Sequence, residues 1–143
     1  MAVTINFYNK LGEYLGDSTM DADADTFTAE LYNSTHVFTA TNTIRANVSA
    51  NALATANGYT NPGAALTSVT WVESAGTVTF DAANVTWTAS GGAIGPSSDT
   101  VVYDNTATND ELVCSVDHDG DQTANDGANF SVNWNASGIF TIS

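Results

Sequence analysis

The chain has 143 residues, of which 16 are acidic and two are basic, so its formal net charge at pH 7 is -14. This balance argues against DNA, RNA or an anionic membrane surface as partners, because each requires a cationic patch that displaces counterions. Hydrophobic residues make up 43% of the sequence, which excludes a wholly disordered chain, and the length fits a single domain over 1–143.

The cysteine content and the hydropathy bear on the compartment. Cys114 is the only cysteine, so no disulfide forms within the chain, and its strand-like neighbours predict a buried, hydrophobic thiol. The first residues show no cationic segment followed by an apolar run, and no stretch of about 18 apolar residues occurs. We therefore expect a protein made in a cytoplasm, without export or membrane insertion.

Residues 1–25 are expected to form a short helix followed by an acidic loop. Apolar residues over 6–15 recur at helical spacing, with Asn6 as the predicted N-cap and Gly16 as the predicted end. Acidic and small residues then alternate over 17–25, which is too polar a composition for a core. This second segment is therefore predicted to be an exposed loop.

From Thr26 the apolar period changes from helical to alternating. Apolar and polar residues alternate over 27–31, which predicts a strand with one buried face. The segment 33–63 carries weaker signals. It predicts one helical turn over 43–48 and a tight turn at Asn61-Pro62-Gly63.

The second half of the chain predicts short antiparallel strands. Alternating residues over 66–71, 78–80 and 85–87 predict a meander, and the glycines over 91–96 predict a surface loop. Four further strands are expected at 101–103, 112–116, 130–134 and 139–142, the last two forming a hairpin that ends the chain inside a sheet. The predicted fold class is mainly β, with antiparallel sheets in a β-sandwich or jelly-roll-like arrangement and a short N-terminal helix.

The densest polar cluster is a candidate calcium site. Asp117, Asp119 and Asp121 place hard oxygen ligands at alternate positions around a glycine, as Ca²⁺ requires. The calcium-loop pattern also needs glycine at its sixth position and glutamate at its twelfth, where this chain has Gln122 and Ala128. A solvated β-turn explains the same residues, because Asp and Gly tolerate turn conformations.

The other titratable residues offer weaker candidates. Asp21, Asp23 and Asp25 form a second acidic run, without a turn glycine. His36 and His118 are the only histidines, and neither has a second His or Cys at ligand spacing, which argues against zinc. No G-x-S-x-G elbow nominates a nucleophilic serine, so we expect no enzymatic activity.

The three tryptophans could stack on a sugar or contribute to the core. Trp71, Trp87 and Trp134 all alternate in register with other apolar residues. Core packing is therefore the favoured interpretation.

Several strand and turn motifs resemble those of small structural proteins of tailed bacteriophages. They are Phe7-Tyr8-Asn9-Lys10, Asp25-Thr26-Phe27, Asn57-Gly58-Tyr59, Gly76-Thr77-Val78-Thr79-Phe80-Asp81, Val85-Thr86-Trp87-Thr88-Ala89, Gly120-Asp121-Gln122 and Trp134-Asn135-Ala136-Ser137-Gly138-Ile139-Phe140. The resemblance covers nearly the whole chain and implies a shared fold. It also implies a non-enzymatic virion component, in the first place a capsid decoration or cement protein that stabilises the head shell.

The resemblance implies partners as well. These are the major capsid protein and copies of this chain, in a homo-oligomer on the virion. The net charge argues against nucleic acid and membrane, and we expect no cofactor beyond the candidate Ca²⁺. Two alternatives stay open. One is a tail fibre or receptor-binding component that contacts a cell-surface glycan, and the other is a free Ca²⁺- or carbohydrate-binding β module.

Overall fold

A computed structural model describes residues 4–143, which contain ten strands and one short α-helix. The strands are β1 (Thr4–Phe7), β2 (Phe27–Tyr32), β3 (Ala64–Ala65), β4 (Thr70–Ser74), β5 (Thr77–Asp81), β6 (Val85–Thr88), β7 (Ile94–Asp104), β8 (Glu111–Ala124), β9 (Asn129–Val132) and β10 (Phe140–Ile142). The helix α1 spans Leu11–Gly16, and 3-10 turns lie at Arg45–Asn47 and Ser49–Asn51. The helical turn predicted over 43–48 is therefore confirmed.

The strands form three antiparallel sheets in a sandwich-like arrangement, which confirms the predicted fold class. The largest sheet has the order β1-β8-β7-β2-β3, the second has the order β10-β5-β4, and β6 pairs with β9 alone. Side chains from all three sheets meet in one core that includes Phe27, Phe80, Trp87 and Phe130. Phe27 and Phe80 pack edge to face, with ring centroids 5.0 Å apart.

The five-stranded sheet is buried on both of its faces. One face contributes to the main core. The other face forms a second cluster together with Phe38, Val48 and Ala52 of the 33–53 segment. The remaining members of this cluster are Tyr8, Tyr32, Val101, Tyr103 and Leu112. All six residues of β2 are buried as a result. The prediction of a half-buried strand over 27–31 is wrong, because the long segment after β2 folds back over its polar face.

The start of the chain differs from its prediction. β1 occupies Thr4–Phe7, where a helix was expected, and pairs with β8 from Thr4↔Asp117 to Phe7↔Cys114. The helix begins only at Leu11, and Lys10 rather than Asn6 is its N-cap. Local spacing favoured a helix, but the partner strand lies more than a hundred residues away along the sequence and overrides that preference.

The acidic segment 17–25 is a series of turns, as predicted, but it is not wholly exposed. Met20 and Ala22 are buried and belong to the main core. Asp21 and Asp23 are exposed, and Asp21 Oδ1 accepts a hydrogen bond from the Asp23 backbone N–H at 3.1 Å. Alternation of acidic and small residues therefore marks a segment with one inward-facing side.

Of the three local strand pairings that the sequence predicts, one is present and two are not. β4 and β5 pair through a tight turn in which Ala75 and Gly76 have φ angles of 51° and 85°. β6 does not continue this meander, because it pairs with β9. The predicted hairpin between 130–134 and 139–142 is also wrong, since β10 pairs with β5 at the edge of its sheet.

β7 and β8 are longer than predicted. Gly95-Pro96, expected in a surface loop, lies within β7, and the stretch Asp117–Asp121 lies within β8. Shifts in the pairing register between the two strands accommodate both irregular stretches. Within residues 4–143, no helix has both the length and the apolar character needed to cross a bilayer.

Candidate functional site

The three aspartates of the candidate calcium site lie on an outward bulge of β8. Between the pairs Ser97↔Gln122 and Asp99↔Asp117, β7 has only Ser98, whereas β8 has residues 118–121. Asp119 and Gly120 turn the chain with φ angles of 56° and 107°. All three aspartates are exposed, and Asp117 Oδ1 accepts a hydrogen bond from the Asp119 N–H at 2.8 Å.

In the described part of the chain, no three or more His, Cys, Asp or Glu side chains group closely enough to hold a metal ion. The two histidines are buried at separate places. His118 Nε2 lies 2.9 Å from Thr100 Oγ1, and His118 Nδ1 lies 3.2 Å from the Ser97 carbonyl oxygen. Burial lowers the pKa of His118, so its neutral form is favoured in the fold.

A different pair of carboxyl groups is brought together by the pairing of β2 with β7. Phe27 pairs with Asp104, and just beyond this pair the Asn105 N–H donates to the Thr26 carbonyl oxygen at 2.8 Å. This pairing brings Asp25 near Asp104, close enough for the Asp25 carboxyl to contribute to the raised pKa of Asp104. The acidic run of the sequence thus contributes Asp25 to a pair that the sequence did not show.

The Asp104 carboxyl is held rigidly below the surface. Its Oδ1 accepts hydrogen bonds from the Thr106 N–H at 2.8 Å and the Ala107 N–H at 3.1 Å. Its Oδ2 is buried and has no hydrogen-bond donor among the described residues. Burial, with a smaller contribution from Asp25, raises the pKa of Asp104 to about 6.

A polar cavity of about 350 Å³ opens beside this pair. Its lining consists of hydroxyl and carboxyl side chains and one alanine: Ser18, Thr19, Asp21, Asp25, Thr106, Ala107 and Thr108. The Asp21 N–H donates to Asp25 Oδ2 at 2.7 Å, which fixes the Asp25 carboxyl at the cavity wall. Asp23 is not part of the lining, so only part of the predicted acidic run gathers here.

An apolar groove lies on another part of the surface, between α1 and β10. It has a volume of about 180 Å³ and is lined by Phe7, Leu11, Gly12, Leu15, Phe140, Thr141 and Ile142. The Phe7 and Phe140 rings meet edge to face, with centroids 5.6 Å apart, and Phe140 stacks on Phe80 at 5.0 Å. The groove floor therefore packs against the aromatic core.

The rim of this groove leaves apolar surface and strand edges uncovered. Ile142 is 48% exposed and Phe7 is 41% exposed. β1 and β10 each stand at the end of their sheet, so each strand has only one paired side among the described residues. This combination of apolar side chains and open strand edges is typical of a protein-binding surface.

The tryptophans and the cysteine have structural roles, as the sequence predicts. Trp87 is buried in the main core, and Trp71 and Trp134 pack against it while partly exposed. The Trp134 indole N–H donates to the Ala83 carbonyl oxygen at 3.0 Å. Cys114 is free and completely buried.

Sequence reasoning missed both the apolar groove and the Asp25–Asp104 pair. The groove joins residues from the two ends of the described chain, and no local pattern links them. The sequence held one indication of β1, because polar and apolar residues alternate from Thr4 to Phe7, as they do in a strand.

No family description matches this sequence, no curated protein matches it, and no solved structure matches its fold.

Proposed function

We propose that this chain is a non-enzymatic structural protein of a tailed bacteriophage virion, which decorates and cements the head shell. The observation that carries the proposal is the apolar groove between α1 and β10, beside two open strand edges. The strand and turn motifs that resemble those of small phage structural proteins support the virion as its location.

The chemistry of the groove suits a protein partner. A partner strand laid along β10 would bond to its free backbone groups and cover the exposed side chain of Ile142. Burial of the apolar groove against the partner would stabilise the complex by about 25 cal/mol for each Å² of apolar surface removed from water. A contact of this kind suits a permanent assembly. We propose the major capsid protein and neighbouring copies of this chain as the partners.

The charge of the chain favours a basic partner surface. Sixteen acidic residues make identical copies repel each other, so homo-oligomers are expected to form mainly on the shell, where basic capsid groups offset this repulsion. Apolar docking in the groove then provides affinity, and the acidic loops orient the protein on the lattice.

The proposal is tested by adding the purified chain to head shells that lack it and measuring occupancy by cryo-electron microscopy. Wild-type protein is expected at many regular positions over the head. Ile142→Lys places a charge in the groove and is expected to weaken binding at least about tenfold. Val37→Lys is the matched control, because Val37 is 74% exposed and lies outside the groove.

The outcomes separate the alternatives. Density confined to the tail would contradict cementing and would favour the fibre or receptor-binding role. Equal occupancy for Ile142→Lys and Val37→Lys would show that the groove is not the docking surface. Raising the salt concentration is expected to weaken binding only modestly, because apolar contacts are insensitive to screening.

A further inference from the structure

We propose that a groove between the end of β8 and β9 binds a neutral oligosaccharide. The groove has a volume of about 280 Å³, and its lining comes from 122–124 on β8 and from 129–133 in and just after β9. It shares no lining residue with the apolar groove between α1 and β10. The binding of sugar is independent of the proposed virion role.

The groove exists because β8 and β9 do not pair, although they follow each other along the chain. β9 pairs with β6, whereas β8 pairs with β7 and β1. The pairing of β1 with β8 ends at Asp117, so the last residues of β8 have a paired strand on one side only among the described residues. An open space between the two strands is the result.

The first support is a set of amide side chains with unused hydrogen-bonding groups. Asn129 Oδ1 accepts a hydrogen bond from Thr88 Oγ1 at 2.9 Å, which leaves the Asn129 Nδ2 group as a donor. Gln122 Nε2 donates to two backbone carbonyl oxygens at 3.4 Å each, which leaves Oε1 as an acceptor. Asn133 is exposed and makes no side-chain hydrogen bond with the described residues. A sugar hydroxyl both donates and accepts, so neighbouring groups of both kinds match it.

The second support is that the lining carries no charge. Besides the three amides, its polar side chains are the hydroxyls of Thr123 and Ser131, in a chain with a net charge of -14. The two basic side chains of the protein are each bound to a glutamate, so an anionic sugar would be repelled without finding a counter-charge. A cationic ligand would find no carboxylate in the lining. A neutral ligand avoids both costs.

The third support is an apolar floor between the polar walls. Ala124 and Phe130 line the groove and are 5% and 4% exposed. The Phe130 ring packs against the rings of Trp87 and His118, with centroids 6.4 Å and 5.7 Å away. The C–H face of a sugar ring fits such a floor while its hydroxyls bond to the walls. Because little of the floor is exposed, we expect weak binding, with a Kd of about 1 mM.

The experiment is a titration of the isotope-labelled full chain with two neutral trisaccharides, maltotriose and cellotriose, followed by NMR of the side-chain amide groups. At least one of the two sugars is expected to shift the signals of Gln122, Asn129 and Asn133 progressively. Trigalacturonate has the same number of rings but carries negative charges. It is expected to leave these signals unchanged at the same concentrations.

Variants locate the site. Asn133→Ala removes a donor and an acceptor from the groove and is expected to weaken binding at least about fivefold, as measured by the remaining amide signals. Asn105→Ala is the matched control, because Asn105 follows the opposite end of β7 and does not line the groove. Both asparagines are exposed, so both variants are expected to fold as the wild type does.

Three results would overturn the proposal. Unchanged amide signals with both neutral trisaccharides would show that the groove is not a sugar site. Equal weakening by Asn133→Ala and Asn105→Ala would place the sugar elsewhere. Trigalacturonate that binds as tightly as the neutral sugars would contradict the argument from charge. None of these results bears on head binding, so the two proposals fail separately.

Discussion

Arg45 binds Glu30 through two parallel hydrogen bonds, from Nε to Oε2 at 2.8 Å and from Nη2 to Oε1 at 2.7 Å. The Glu30 side chain is completely buried on β2, and the Arg45 side chain is 23% exposed. The Tyr32 hydroxyl and the Asn61 amide also donate to Glu30, at 2.9 Å each. One of the two cations of the protein is thus committed to a buried structural carboxylate.

Arg45→Met is expected to lower the free energy of unfolding by about 3–5 kcal/mol, because it leaves the buried Glu30 carboxylate without its counter-charge. Chemical denaturation monitored by tryptophan fluorescence measures this loss. Lys10→Met is the matched control on the exposed Lys10–Glu13 pair and is expected to have no measurable effect. Equal effects of the two variants would show that burial does not matter here.

Gly63→Ala is expected to destabilise the fold by more than about 3 kcal/mol. Gly63 has a φ of 101°, and an added Cβ would lie 2.0 Å from the Ala29 carbonyl oxygen on β2. Gly76→Ala is the control, because Gly76 has a φ of 85° with nothing within 4 Å of an added Cβ. We expect that variant to lose only the left-handed backbone preference, about 1–2 kcal/mol. A Gly63→Ala protein as stable as Gly76→Ala would contradict the close contact with β2.

Ile139→Ala is expected to cost about 2–5 kcal/mol, because Ile139 is buried at 3% exposure and its removal leaves a cavity in the core. Ile142→Ala, at an exposed position of the same segment, is expected to cost less than about 1 kcal/mol.

Deleting residues 139–143 is then expected to prevent cooperative folding, since the core loses Ile139 and β5 loses one of its two partner strands. A truncated protein that melts cooperatively at the wild-type temperature would refute this.

Stability is expected to fall as the pH is lowered from about 7.5 to about 5.5. Burial lowers the pKa of both His36 and His118 below the unfolded value of about 6.5, so the unfolded state takes up protons first. The two neutral histidines therefore contribute fully to the free energy of unfolding above about pH 6.5, and this contribution is lost as the pH falls below that value. Asp104 opposes this trend, because its raised pKa favours the protonated folded form.

His36→Phe isolates the histidine effect. Phenylalanine preserves the ring contact with Tyr32, whose ring centroid lies 4.8 Å from that of His36, but it does not titrate. The melting temperature of the His36→Phe variant is expected to vary less with pH than that of wild type. Asp104 is present in both proteins, so its contribution does not account for the difference. A steeper dependence in the variant would contradict this assignment.

The sequence predicted those features that depend on neighbouring residues. The β4–β5 hairpin could be predicted because Ala75 and Gly76 stand between two alternating segments. The pairs β6–β9 and β5–β10 could not be predicted, because their register depends on core contacts between distant residues such as Phe80 and Phe140. Alternation indicates that a strand exists but does not identify its partner.

The candidate sites followed the same division. The acidic composition correctly located polar turns near Asp21 and Asp25, but the partner carboxyl of Asp104 comes from the end of β7. Burial of Glu30 was equally hidden, because a period-two pattern assigns its side chain to solvent. Arg45 lies on a 3-10 turn in a weakly patterned segment, so nothing in the sequence indicated that it pairs with Glu30 and covers this face of β2.

The pairing of β1 with β8 has a consequence for synthesis of the protein on the ribosome. Thr4–Phe7 are translated more than a hundred residues before their partner residues Cys114–Asp117. Before those partner residues are translated, β1 has no partner in the five-stranded sheet. The contact between the Phe7 and Phe140 rings forms later still, because Phe140 is translated after β8. The five-stranded sheet therefore cannot be completed before Cys114–Asp117 have been translated, and the nascent chain carries an unpaired strand up to that point.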